Sequence, residues 1–178
     1  MQKRFRHILT LLLVAILTAT LLLAIPACSG GGATPTQTGD DGEIEMSATT
    51  KSGKVTVTVR LKKNCGISVM DLTLNYDTKK LTLTGLTEGS ALKSLNLMTT
   101  NTSTEKGYSV TPFKFSYLNA NKNDTSTGVM FTLTFSVKKG ASGDTTVGLK
   151  YADGAIKSLT GSGLIARAFT IVPVTVSL

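Results

Sequence analysis

Three polar side chains on one predicted strand are the best candidates in this sequence for contact with another molecule. Asp71, Thr73 and Asn75 alternate with apolar residues in the stretch MDLTLNY. Successive side chains of a β-strand point to opposite faces, so these three share one face. A carboxylate, a hydroxyl and a carboxamide there could hydrogen-bond to a partner, or they could simply face water. The residues alone leave both interpretations open.

Groups that could perform catalysis are sparse. The single histidine is His7, in a segment that we expect to be removed on export, so the remaining chain has no imidazole for Ser-His-Asp catalysis or for a zinc site. The patterns of a calcium loop and of a glycine-rich phosphate loop are also missing. A carboxylate pair for glycoside hydrolysis would require the fold to bring together two of four acidic residues, and their spacing does not favour this. These are Glu88, Glu105, Asp124 and Asp153. We therefore expect no enzyme activity, no cofactor and no metal site.

The start of the chain has the pattern of an export signal. Residues 1–7 carry three fixed positive charges and residues 8–23 are almost wholly apolar. Residues 24–28, AIPAC, resemble a bacterial lipobox, which implies cleavage before Cys28 and a diacylglyceryl group on its sulfur; two acyl chains suffice for stable anchoring. We expect residues 1–27 to be a signal peptide and the mature protein to be exported and lipid-anchored to the outer face of a bacterial cell membrane. The alternative, an uncleaved transmembrane helix, needs a longer uninterrupted apolar run.

A linker should follow the lipidated cysteine. Residues 29–42, SGGGATPTQTGDDG, offer almost nothing to bury, so we expect residues 28–42 to consist of lipidated Cys28 and a flexible linker. With Cys28 modified, Cys65 has no partner for a disulfide, and we expect it to act as a small apolar residue in a turn.

The charge of the chain does not indicate a nucleic-acid partner. The whole chain carries +8, but three basic residues leave with the signal, which leaves 16 basic and 11 acidic residues, or +5. The lysines fall mostly as doublets at predicted strand ends, where charged side chains oppose edge-to-edge aggregation. They are not interleaved with aromatic residues on one face, so we expect no nucleic acid to bind.

From residue 43 onward the hydrophobic period is two. Apolar residues alternate with polar ones in EIEMSA, VTVTVRL, MDLTLNY and MFTLTFSV, and turn signals such as Asp153-Gly154 separate the runs. Eight or nine short strands with one apolar face each need a second sheet to cover that face. The pattern predicts an all-β domain over residues 43–178, built as an antiparallel β-sandwich.

A carbohydrate-binding module of the same shape is an alternative. Such modules commonly use exposed planar aromatics, and this sequence has four tyrosines and no tryptophan. Tyr76 and Tyr117 fall on predicted apolar faces, which leaves Tyr108 and Tyr151. A structural surface domain or an adhesin domain is a further alternative.

Several blocks of the sequence resemble a cohesin domain. The stretch GISVMDLTLNYD at residues 66–77, which resumes with Leu81, is similar to the third and fourth strands of that family. The run GVMFTLTFSVK at residues 128–138 resembles its Gly-Val, alternating apolar, Phe-x-Val-Lys strand, and residues 55–59 resemble its second strand. The order and spacing of these blocks span residues 44–178.

The resemblance implies a fold, a partner and a set of contact residues. The implied fold is the nine-stranded jelly roll of the cohesin type. The implied partner is a dockerin module, with calcium carried by that partner, through which glycan-degrading enzymes assemble in polysaccharide catabolism; contact with polysaccharide itself is possible. Asp71 matches an aspartate of that contact, and Tyr117 stands near a position where the family often has an acidic residue. The residues assigned to partner binding are Asp71, Val69, Thr73, Asn75, Tyr117 and Asn119.

Overall fold

The alternating runs form β-strands. The computed structural model describes residues 36–92 and 113–178, and within these ranges the chain forms twelve strands. They are β1 Gln37–Asp40, β2 Gly42–Lys51, β3 Lys54–Asn64, β4 Val69–Tyr76, β5 Leu81–Glu88, β6 Phe113–Leu118, β7 Gly128–Val137, β8 Asp144–Lys150, β9 Ile156–Thr160, β10 Gly163–Ala166, β11 Phe169–Ile171 and β12 Val174–Ser177. No helix in the described ranges is long and apolar enough to cross a membrane.

The strands make two sheets. The first has the order β1-β11-β2-β3-β7-β5, and all its pairs are antiparallel except β2–β11, which is parallel. The second contains β10, β9, β4, β8 and β12, with β6 paired to β4. β6 lies along one edge of β4, while β8 and β9 follow one another along the opposite edge. β4 therefore lies inside the second sheet, with neighbours on both sides.

The core lies between the sheets. Phe115 on β6 stacks on Phe131 on β7 with ring centroids 4.3 Å apart, so this pair joins the two sheets. Tyr76 at the end of β4 packs edge-on against Phe135 of β7 at 5.0 Å. Among the described residues, no buried side-chain nitrogen or oxygen lacks a hydrogen-bond partner. The predicted all-β sandwich is confirmed.

Two details differ from the prediction. The described ranges contain twelve strand segments where nine strands were predicted. Part of the difference arises because β8 and β9 are successive segments along one edge of β4, separated by residues 151–155. The sandwich is also not wholly antiparallel, because β11 crosses to the first sheet and runs parallel to β2.

β1 lies within the segment that was expected to be linker. It pairs with β11, and the side chain of Gln37 donates to the carbonyl of Tyr151 and accepts from its N–H at 2.9 and 2.8 Å. The hydroxyl of Thr170 donates to the Gly39 carbonyl and accepts from the Gly39 N–H. Polar contacts hold this strand in place. Because its residues do not alternate between apolar and polar, the strand could not be predicted from the sequence pattern.

The stretch at residues 66–85 links the two sheets. β4 belongs to the second sheet and β5 to the first, so the turn at residues 77–80 is a crossover and not a hairpin. Asp77 closes the turn, since its carbonyl accepts from Leu81 N at 2.9 Å and its carboxylate accepts from Lys79 N at 2.8 Å. At the entry to β4, Ile67 and Ser68 are both buried. This burial on both sides explains the shift in the apolar period there.

Candidate partner-binding face

The outward side of the second sheet is centred on β4, and we call it the β4 face. The inward residues Met70, Leu72 and Leu74 are at most 2% exposed, so the alternate residues of β4 point outward. Strand pairing adds outward residues from the strands on either side. The members are Val69, Asp71, Thr73 and Asn75 of β4, Lys114, Ser116 and Leu118 of β6, Gly148 and Lys150 of β8, and Lys157 and Leu159 of β9.

Asp71 lies at the centre of this face and is exposed. Its carboxylate accepts a hydrogen bond from the hydroxyl of Ser116, which is its cross-strand partner on β6. On its other side, the Asp71 N–H donates to the carbonyl of Ala155 at 3.1 Å. The backbone is therefore fixed from both edges, and the carboxylate is held in place with room to accept further hydrogen bonds.

A row of positive charge crosses the face beside Asp71. Thr73 lies opposite Lys114 of β6 and also opposite Lys150 of β8. Both lysines are exposed and Thr73 is half-buried between them. Asn75, one step further along β4, is half-buried opposite Gly148.

The other end of the face is apolar. Val69 lies opposite Leu118 of β6 and opposite Lys157 of β9. Leu118 is 61% exposed, more than any other large apolar side chain in the described ranges. Leu159 of β9, half-buried, lies opposite Leu164 of β10, which is 48% exposed. An exposed apolar patch next to a fixed carboxylate is typical of a surface that another protein covers.

The assignment of Tyr117 to this face was wrong. Tyr117 is 2% exposed and points into the core, because it alternates with the outward residues Ser116 and Leu118. Its hydroxyl donates to the Asp124 carboxylate at 3.3 Å. Burial is the main cause that raises the pKa of the Tyr117 phenol above its usual value, and the neighbouring Asp124 charge raises it further.

Asn119 lies just past the end of β6 and supports the adjoining loop. Its side-chain carbonyl accepts from the N–H groups of Asn121 and Lys122 at 3.1 and 3.3 Å. Its backbone N–H donates to the Ser68 carbonyl at 2.8 Å, and its own carbonyl accepts from the Ser68 hydroxyl at 2.6 Å. The side chain is half-buried and used within the chain, so Asn119 shapes the rim of the β4 face and is not a free contact group.

The remaining candidate residues are scattered. Cys28 and Glu105 lie outside the described residues. Asp124 holds Tyr117 and accepts from Ser126 N at 2.7 Å. Cys65 is exposed and not packed as expected in the turn. Within the described ranges, no three His, Cys, Asp or Glu side chains lie close enough together to hold a metal ion.

A polar cleft of about 470 Å³ lies beside β1. Arg167 lines it and donates to the Ser158 hydroxyl at 2.9 Å and to the Asp41 carboxylate at 3.3 Å. Tyr151, also in the lining, has a hydroxyl that donates to the Phe169 carbonyl and accepts from the Phe169 N–H, both at 2.8 Å. These groups are used to fasten β1 and β11, and the cleft is not the best candidate for a site.

The sequence-based site set included the wrong residue of β6, Tyr117, and no residue of β8. The signal for β6 was present, because apolar Phe113, Phe115 and Tyr117 alternate, which places Lys114, Ser116 and Leu118 on the other side. The pairing of β4 with β6 and β8 joins residues 39 or more positions apart. Alternation shows which face a residue occupies but does not show which strands are neighbours.

Comparisons with known proteins agree with this architecture. A family model described as the cohesin domain matches residues 43–167. Comparison with curated proteins found no match.

Among solved structures, the chain is similar to the seventh ScaB type I cohesin from Pseudobacteroides cellulosolvens, with a TM-score of 0.59 and 18% identity over 76% of this chain and 90% of that one. It is similar to a chain of the Coh-OlpA-Doc918 type I cohesin–dockerin complex from Clostridium thermocellum, with a TM-score of 0.53 and 18% identity over 78% of this chain and 99% of that one. It also resembles a non-cellulosomal cohesin from the archaeon Archaeoglobus fulgidus, with a TM-score of 0.51 and 15% identity over 75% and 88% of the two chains. At these identities the likeness establishes the fold.

Proposed function

The chain belongs to the cohesin family, and we propose that its β4 face captures the dockerin module of another extracellular protein. Cohesin domains are binding modules without catalytic activity, and one of the similar structures is a cohesin–dockerin complex. The observation that carries the proposal is the β4 face itself, where the exposed Asp71 carboxylate is fixed beside the exposed Leu118 side chain.

The face is suited to binding because it is rigid before the partner arrives. β4 is hydrogen-bonded along both edges, and its inward side chains are buried in the core. A partner therefore orders few groups when it docks, which reduces the entropy lost on association. Covering Leu118 would contribute about 1 to 2 kcal/mol from the apolar area removed from water.

The captured protein would be a glycan-degrading enzyme in a cellulosome-like assembly that acts in polysaccharide catabolism. Export and lipid attachment at Cys28 would place the module on the outer face of the cell membrane, where such an enzyme meets its substrate. Export and lipid attachment are supported by the signal-like and lipobox patterns of residues 1–28.

The described residues do not favour the carbohydrate-binding alternative. Every aromatic side chain in the described ranges is buried or half-buried, including Tyr76 and Tyr151. A glycan platform needs exposed aromatic rings spaced along one surface, and these residues do not provide one.

Calorimetry with the lipid-free chain and a panel of calcium-loaded dockerin modules tests the proposal. We expect at least one dockerin to bind. Asp71→Ala should weaken that complex by about 1 to 3 kcal/mol, or roughly 5- to 150-fold, since it removes a hydrogen-bonding carboxylate. Leu118→Ala should weaken it through lost apolar contact.

Val172→Ala is the matched control, because Val172 is 52% exposed and lies outside the β4 face. All three variants should keep a melting temperature within a few degrees of the parent, as is usual for surface substitutions. The proposal fails if no dockerin binds, and sedimentation of the protein with insoluble polysaccharide would then favour the carbohydrate-binding alternative. It also fails if the control weakens binding as much as the two face variants.

A further inference from the structure

The charges on the β4 face are unbalanced. Three lysines, Lys114, Lys150 and Lys157, occupy outward positions on the strands that flank β4. Asp71 is the only acidic residue among the outward positions that form the face. Asp144, an outward residue at the far end of β8, already accepts a hydrogen bond from Ser177 at 2.7 Å.

These lysines are not neutralised within the described chain. The ion pairs among the described residues are Lys62 with Glu43 at 3.0 Å and Arg167 with Asp41 at 3.3 Å, and neither lies on the β4 face. Asp71 has its hydrogen bond with Ser116 and no ion pair with a described lysine. The face therefore presents positive charge that an incoming surface can pair with.

The positions of the charges are regular. Lys114 and Lys150 lie on strands separated only by β4, so their α-carbons are about 10 Å apart. Two residues seven positions apart on a helix are separated by about the same distance, since the rise is about 1.5 Å per residue. Carboxylates with that spacing can reach both lysines while an apolar neighbour covers Leu118.

We propose that the dockerin captured by this protein presents an acidic surface to the β4 face, with carboxylates placed against Lys114 and Lys150. This inference rests on the proposed function and specifies the chemistry of its partner. Opposite charges on the two surfaces accelerate encounter and disfavour partners with basic contact surfaces. The carboxylate of Asp71 then accepts a hydrogen bond from a neutral donor, or pairs with one positive group, on a partner surface that is otherwise acidic.

Association kinetics with matched charge variants tests this inference. The probes are calcium-loaded dockerin modules whose contact surfaces range from acidic to basic, and one acidic soluble polysaccharide, polygalacturonate. The test protein is the lipid-free chain with Lys114→Glu and Lys150→Glu together. The control is Lys54→Glu with Lys139→Glu, which changes the net charge equally at two exposed lysines outside the face.

We expect the tightest dockerin to have an acidic contact surface. The Lys114/Lys150 variant should associate with it at least about tenfold more slowly, and the control variant should associate nearly as the parent does. The association rate should also fall as ionic strength rises from about 0.01 to 1 M, because the screening length shrinks from about 30 to 3 Å. Replacing the dockerin's carboxylates by lysines should restore fast association with the Lys114/Lys150 variant.

The possible failures are distinguishable. If a neutral or basic dockerin binds best and the two double variants behave alike, the acidic-partner inference is wrong while the proposed function stands. If no dockerin binds at all, the proposed function fails and the inference fails with it. If polygalacturonate alone binds and the Lys114/Lys150 variant loses that binding, the face recognises an anionic glycan, and both are overturned.

Discussion

On β6, neighbouring side chains have different roles because they point to opposite faces, as Ser116, Tyr117 and Leu118 show. Ser116 and Leu118 face outward, where one holds Asp71 and the other is exposed. Tyr117 between them is buried and hydrogen-bonds to Asp124 inside the molecule. Tyr117 was assigned to the partner-binding set because of its position in the family pattern. Its alternation with Phe113 and Phe115, however, already placed the Tyr117 side chain on the inward side.

The buried phenol gives the domain a distinct response to alkaline pH. Burial raises the pKa of Tyr117 above its usual value near 10. Above pH 10 the unfolded chain loses this proton while the folded chain keeps it, so unfolding becomes more favourable. The stabilisation from the neutral, hydrogen-bonded phenol is therefore complete below pH 10 and is lost as the pH rises through the folded-state pKa.

Tyr117→Phe should isolate this effect. At pH 7 we expect the variant to be less stable by about 1 kcal/mol, because it lacks the hydrogen bond to Asp124. The difference in stability from the parent should shrink as the pH rises above 10. Only in the parent does ionisation of residue 117 in the unfolded chain favour unfolding. Urea unfolding of both proteins at pH 7, 10 and 11 measures this difference in the free energy of unfolding. A difference that stays constant over this range would show that the pKa of Tyr117 is not raised in the folded state.

At the scale of elements, alternation predicted the strands that bury apolar side chains. The period of two indicated β2, β3, β4 and β7, since each alternates buried positions with half-buried or exposed ones. β1 was not, because QTGD contains no apolar residue and is held by polar contacts to residues more than 110 positions away. The crossover from β4 to β5 and the parallel β2–β11 pair were also not predictable, since they depend on which strands are neighbours.

A close approach of backbones makes β1 testable. A Cβ added at Gly39 would lie 2.3 Å from the Ala168 carbonyl carbon, so Gly39→Ala cannot be accommodated without moving β1 away from β11. We expect the remaining sandwich to stay folded and β1 to detach. Limited proteolysis should then cleave at residues 37–41 much faster than in the parent.

Gly161→Ala is the control for this substitution. Gly161 has no neighbour within 4 Å of an added Cβ, so its replacement should leave cleavage near β1 unchanged. Equal protection of residues 37–41 in both variants would mean that β1 is not held against β11 as described. Global unfolding of the Gly39 variant would instead mean that β1 is needed for the stability of the whole sandwich.

At the scale of the whole molecule, β1 shortens the expected linker. Strand pairing begins at Gln37, so only residues 29–36 separate it from Cys28. If these residues form the flexible linker that the sequence predicts, we expect a span of about 15 Å by random-coil scaling, compared with about 20 Å for the 14 residues first assigned to the linker. A lipid at Cys28 would therefore hold the sandwich close to the membrane surface, and the bound partner with it.

The two cysteines provide a matched test of that anchor. Cys28→Ser removes the expected acylation site, whereas Cys65→Ser removes an exposed thiol within the folded domain. If Cys28 carries two acyl chains, the parent and the Cys65 variant should partition with membranes and into a detergent phase, and the Cys28 variant should remain in the aqueous phase. Mass spectrometry of the purified parent should show a lipid-modified Cys28 at its N-terminus. Equal partitioning of the two variants, or an unmodified Cys28 on a chain that still begins with Met1, would exclude the lipid anchor and leave the β4 face to act without a fixed place on the cell surface.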